Sequence, residues 1–212
     1  MLNDILLLNK KHENAAKTIY ERVEGEMTDK YIISISGEVE TGKAEVAHML
    51  GKLMKKEGKR VKLLHMDNYY KIAPLERTAW RKRHGIESVG DDEYDWEMIN
   101  RNLKGFRESK LTTIPCVDLF SGQIDQLTTN FSGINVLIIE GLYSVKILEA
   151  NLKVFIESTY HDTLEEQKMS GKEEMDEFRM LVLEREHKVV QSLKPLADFY
   201  LDFDTASEIF HY

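Results

Sequence analysis

The sequence predicts a three-layer α/β domain with a mainly parallel sheet. Short apolar runs that read as buried strands alternate with segments of helical periodicity. The first run, "YIISIS", leads through a glycine loop straight into a helix. Gly37, Asp67 and Glu140 fall at the carboxyl ends of three runs, where open α/β sheets gather their ligands.

Taken in order, residues 1–29 read as a helical extension packed on the domain, because Ala16, Ile19, Tyr20 and Val23 recur at helical spacing. The opening "MLNDILLLNKKHENAAK" has its basic residues after a short apolar patch and no cleavage-like site, so it does not read as a signal peptide. Residues 30–212 form the domain proper. Tyr31–Ser36 is nearly continuously apolar, as a strand buried on both faces should be. Val46, Leu50, Leu53 and Met54 keep one face of the next helix, which Gly58 ends. "VKLLHM" is a second strand, followed by a long polar and basic connection, "KIAPLERTAWRKRHGIESVGDDEYDW". Met98, Ile99, Leu103 and Phe106 then face inward from a helix. "TTIPCV" is a short strand at an edge, since Pro115 cannot donate a ladder hydrogen bond. "INVLII" and "KVFIE" are further strands, Asp162 to about Leu193 is a charged helical region, and "DFYLDF" is a last strand.

Composition narrows the class of function. With 212 residues and 42% apolar content the chain can bury one good core. A net charge of -8 argues against binding nucleic acid or anionic membrane by bulk attraction, and no run approaches the roughly 20 apolar residues that cross a bilayer. Cys116 is the only cysteine, which leaves no internal disulfide or thiolate zinc cluster and fits a reducing, cytoplasmic setting. The histidines, His161, His187 and His211 among them, show no metal spacing.

The stretch "SISGEVETGKAEVAHML" carries the most specific chemistry. Gly37, four residues, then Gly42 and Lys43 outline a phosphate-binding loop between a strand and a helix. Backbone N–H groups from Gly37 through Thr41, Gly42 and Ala44 would cradle phosphates while Lys43 contacts their outer oxygens. The residue after the lysine is Ala44, where the motif places a hydroxyl for magnesium, so the cradle survives and a direct metal ligand is lost. Glu38 and Glu40 would repel a triphosphate unless they help hold the metal or point to solvent, and the outward orientation is expected, as loop side chains mostly face water. Asp67 in "HMDNYYK" would take the proton of an attacking hydroxyl or hold metal through water; the plainer alternative is a turn cap. Glu140 in "LIIEGLY" would orient magnesium-bound water, or simply end a strand. Arg77, Arg81, Lys82, Arg83 and His84 would receive an anionic group or form a solvated face. Tyr94, Asp95 and Trp96 would shape a pocket or anchor the core.

With "ISGEVETGK", "HMDNYYK", "EYDWEMINRNLKGF", "TTIPCVDL", "VLIIEGLY" and "LKPLADFYLDF" in this order, the chain resembles the uridine kinase and phosphoribulokinase family of P-loop kinases, from about Lys30 to Asp204. The resemblance implies a P-loop NTPase fold with a five-stranded, mainly parallel core and added edge strands. It implies ATP as phosphoryl donor, Mg2+, and a small hydroxyl-bearing acceptor such as a nucleoside. Lys43 would bind phosphate, Asp67 would be the general base, and Glu140 would assist the metal. Tyr70, Asp118 and Arg83 are the candidate acceptor contacts, and a lid is expected near residues 160–185.

The departures matter equally. Val89 stands where uridine kinases place a ribose-binding aspartate, and Val117 where an aromatic contacts the base. Thr163, Glu166 and Gln167 fall where the lid arginines would sit, leaving Lys168, Lys172, Arg179 or Arg185 as substitutes. Two readings follow from these residues: a small-molecule kinase whose acceptor is not plain uridine, and a nucleotide-binding protein of the same fold with little or no catalysis. A third is an α/β interaction domain with an empty loop.

Overall fold

A computed structural model describes residues 5–170 and 174–203. Its central sheet is built from β1 (Tyr31–Ser36), β2 (Val61–His65), β5 (Val136–Glu140), β6 (Leu152–Ile156) and β7 (Phe199–Leu201), in the order β2-β5-β1-β6-β7. Every pairing in it is parallel. The side-chain period of two divides each strand between the layers. Ile33, Ile35, Val136, Ile138 and Val154 meet Ala16, Ile19 and Val23 of α1 (Lys10–Val23) and Val46, Leu50 and Met54 of α2 (Lys43–Lys56). Ile32, Leu137, Ile139 and Phe155 meet Ile99, Leu103 and Phe106 of α4 (Trp96–Arg107) and Val190 of α6 (Glu177–Leu193). Burial on both faces is why these strands read as continuous apolar runs rather than alternating ones.

Two elements differ from the sequence reading. The polar connection after β2 contains a helix, α3 (Pro74–His84), with Pro at its first turn. Only Arg81 of that helix is buried, so there is no apolar stripe to betray it. The strand with Pro115, β3 (Leu111–Val117), pairs antiparallel with β4 (Ile124–Asn130) in a separate two-stranded sheet, Pro115 opposite Gln126. β4 is almost wholly exposed and shows no inward face. The charged region after β6 is two helices, α5 (Tyr160–Ser170) and α6, the second capped by Asp176, whose carboxylate accepts from Arg179 N–H at 2.7 Å. Among the described residues no helix is long and apolar enough to cross a membrane.

Candidate nucleotide and phosphoryl-transfer site

The loop between β1 and α2 depends on two glycines. Gly37 has φ +155°, and a Cβ there would lie 3.1 Å from Thr41 Oγ1 and 3.2 Å from Ile156. Gly42 caps α2 in the left-handed region, φ +84°, where a Cβ would come within 2.8 Å of His12 Nε2. The N-terminal helix therefore touches the phosphate loop itself: the His12 ring lies edge-on to Phe203, 5.6 Å between centroids. The free N–H groups of the first turn of α2 stand where a helix favours anions. Thr41 Oγ1 and Lys43 Nζ both donate to the Glu38 carbonyl, at 2.9 and 2.5 Å. Lys43 is buried and turned back on the loop.

Glu38 corrects the expectation of a solvent-facing acid. It is 2% exposed, and its carboxylate meets Tyr160 N–H, His187 and Gln191. The reason is the packing of α5 and α6 over the loop, which leaves that side chain no route to water. Glu40 is half-buried with φ +53°.

The candidate acids lie at the carboxyl ends of the paired strands β2 and β5. Glu140 is paired in register with His65, and their side chains meet at 2.7 Å, Nδ1 to Oε1. Ser36 Oγ donates to the Leu142 carbonyl at 2.7 Å and ties the loop to the exit of β5. Asp67 sits just past β2, in a short 3-10 turn at Met66–Tyr69. It accepts from Tyr94 Oη at 3.3 Å. Tyr94 packs on Tyr70 with centroids 4.1 Å apart, and the Arg77 guanidinium lies 3.4 Å over the Tyr70 ring. Burial, reinforced by the charge of Asp67 and neighbouring groups, pushes both phenols above their ordinary pKa, so Tyr94 stays a donor.

Asn68 joins the hairpin to this turn by accepting from Val117 N–H at 2.9 Å. The next residue, Asp118, uses its carboxylate on Phe120 N–H at 2.9 Å and so shapes the β3–β4 turn. Arg83 is exposed on α3. Arg81, which the sequence suggests for an anionic ligand or a solvated face, is instead buried in a network. It donates to Glu93 at 2.7 and 2.8 Å and to Glu186 at 3.1 Å, with Arg179 3.6 Å from the other Glu186 oxygen. This network and the His65–Glu140 pair are missed by sequence reasoning. Only the parallel register would have put His65 opposite Glu140.

Val89 is buried and offers no polar side chain. Thr163 and Gln167 are buried on α5, hydrogen-bonded to each other at 2.9 Å, with Thr163 Oγ1 3.3 Å from the Val39 carbonyl. Of the candidate substitutes for lid arginines, Lys168 pairs with Glu165, Arg179 with Glu186 and Arg185 with Glu87. Lys172, His211 and the Glu166 side chain lie outside the described residues. Among the described residues no group of three or more His, Cys, Asp or Glu is arranged to hold a metal.

The Phosphoribulokinase / Uridine kinase family profile matches residues 32–170. A uridine kinase of Mycoplasma pneumoniae is 29% identical over 137 residues, 63% of this chain and 63% of that protein. A bifunctional alpha-galactosidase/sucrose kinase of Mediterraneibacter gnavus is 30% identical over 167 residues, 71% of this chain but only 18% of that protein. The chain thus matches less than two thirds of either relative's length. The solved structure of a possible uridine kinase from Bacillus stearothermophilus superposes with a TM-score of 0.64 at 17% identity, covering 91% of this chain and 100% of the other.

Proposed function

The chain belongs to the phosphoribulokinase and uridine kinase family of P-loop kinases, and from that premise we propose that it transfers the terminal phosphoryl group of ATP to a hydroxyl of a nucleoside or similar small acceptor. The observation that carries the reading is the adjacency of three groups at the carboxyl edge of the sheet: the Lys43 loop after β1, Asp67 after β2 and Glu140 at the end of β5. Backbone N–H groups of Gly37, Thr41, Gly42 and Ala44 hold the phosphates, and Lys43 exchanges the Glu38 carbonyl for a phosphate oxygen. Asp67, steadied by Tyr94, takes the acceptor's proton. Glu140, steadied by His65, would help hold the magnesium. Magnesium, when bound, would offset phosphate charge, and Ala44 offers it no hydroxyl. Tyr70, Asp118 and Arg83 border the acceptor. Val89 and Val117 favour an acceptor other than plain uridine, and the setting is cytoplasmic.

A second reading, nucleotide binding with weak or no catalysis, is favoured by one set of contacts: Lys168, Arg179 and Arg185 are each engaged with an acid. Lid arginines would neutralise the transferring group, a contribution of several kcal/mol. Incubation with ATP, magnesium and a panel of nucleosides and small sugars, with products read by mass spectrometry, separates the two. The kinase reading expects a phosphorylated acceptor and a loss of roughly 10²-fold to 10⁴-fold in Asp67→Asn. A folded protein that phosphorylates nothing in the panel supports the second reading.

A further inference from the structure

The phosphate loop contains a buried acid that the proposed reaction does not use. Glu38 Oε2 accepts from Tyr160 N–H at 2.9 Å, at the start of α5. Its Oε1 accepts from Gln191 Nε2 at 2.5 Å and lies 2.8 Å from His187 Nδ1, both on α6. α5 reaches the loop a second time through Thr163 Oγ1 and the Val39 carbonyl, 3.3 Å apart. A carboxylate is costly to bury unless its lone pairs are satisfied, and here donors from two separate helices satisfy them. The main chain of the same residue is bonded to Lys43 Nζ at 2.5 Å. Glu38 thus faces the two helices with its side chain and the phosphate lysine with its carbonyl.

We infer that Glu38 is a positioning residue: it fastens α5 and α6 to the phosphate loop, so that a shift of these helices is felt at Lys43 and phosphate on Lys43 is felt by the helices. The inference rests on the nucleotide-binding part of the proposed function. It gives the acidic loop and the arginine-poor α5 a common cause. Where an arginine would reach the transferring group, Thr163 and Gln167 instead complete the seam between helix and loop.

The test is ATP affinity by calorimetry in Glu38→Ala, Glu38→Gln, His187→Ala and Gln191→Ala, with melting temperatures and amide exchange of residues 160–165 measured alongside. Glu38→Ala and Gln191→Ala should each weaken ATP binding, by roughly tenfold for Glu38→Ala, and their effects should not add in the double variant. Glu38→Gln, which can still accept from Tyr160 N–H and donate to a reoriented His187 or Gln191, should restore most of the affinity. If Glu38→Ala weakens ATP binding while His187→Ala and Gln191→Ala leave it unchanged, Glu38 acts on the ligand directly and the inference fails. It fails too if all variants melt lower with unaltered affinity. If the wild type binds no ATP, the proposed function falls, and exchange without nucleotide decides the tether. Faster exchange at residues 160–165 in Glu38→Ala, with β5 unchanged, upholds it; no change overturns it.

Discussion

Replacing Arg81 by alanine should be among the most damaging single changes outside the phosphate loop. Arg81 is 6% exposed, and Glu93 and Glu186, which it joins, are each 4% exposed. Burial alone would lower its pKa, but hydrogen bonds to Glu93 and the charge of Glu186 outweigh this and keep it firmly protonated. Arg81→Ala leaves two carboxylates buried without its guanidinium, with Arg179 3.6 Å from Glu186 and Gly90 N–H donating to Glu93. Breaking such a pair costs about 3–5 kcal/mol. At about 2–4 °C per kcal/mol for a chain of this size, the melting temperature should fall by roughly 6–20 °C. Calorimetric melts near neutral pH read this directly. Adding Glu93→Gln and Glu186→Gln to Arg81→Ala should recover much of the loss, because the penalty lies in stranded charge rather than in missing contacts. A fall of less than about 2 °C for Arg81→Ala would show that its loss strands no buried charge. The same change should loosen the loop that carries Tyr94, since Glu93 immediately precedes it.

Other expectations follow from particular contacts. Gly42→Ala places a methyl group 2.8 Å from His12 Nε2 at φ +84°, so it should cost about 1–2 kcal/mol for the left-handed backbone plus the displacement of His12, and weaken ATP binding; melts and calorimetry check both. Tyr94→Phe removes the hydroxyl on Asp67 and should slow phosphoryl transfer by less than the roughly 10²-fold or more expected of Asp67→Asn, with only about 1 kcal/mol or less of stability lost. Burial raises the phenol pKa of Tyr69, Tyr70, Tyr94 and Tyr143, and burial with the Glu184 hydrogen bond raises Tyr160 to about 12. Because unfolded tyrosine titrates near pH 10, that stability is whole below about pH 10 and is lost as pH climbs through the folded values. Melting temperatures should therefore hold up to about pH 10 and fall above it, and the tyrosinate absorbance of these five residues should appear with unfolding rather than before it.

The central layers are legible because burial on both faces writes itself into sequence: Tyr31–Ser36 and Val136–Glu140 are buried throughout and mostly apolar, and the glycine loop has a spacing of its own. α3 was not legible, since its one buried side chain is an arginine, and charge clusters ordinarily mean solvent. β4 was hidden for the opposite reason, as nearly all of it faces water. At the candidate site, the sequence places Asp67 and Glu140 at strand ends and Lys43 at the head of a helix. Their partners could not be picked out, because His65, Tyr94 and Glu93 meet them or Arg81 only through register and long-range packing. Glu38 was misjudged because nothing in "GEVETGK" announces that α5 and α6 lie over it.

The most direct test of the account is ATP binding by calorimetry, with and without magnesium, on the wild type, Lys43→Ala and Ala44→Ser. The wild type should bind, Lys43→Ala should lose most of the affinity, and Ala44→Ser should make binding depend more strongly on magnesium by placing a hydroxyl at the head of α2. If neither the wild type nor Ala44→Ser binds ATP, the loop does not serve nucleotides and the kinase reading is contradicted.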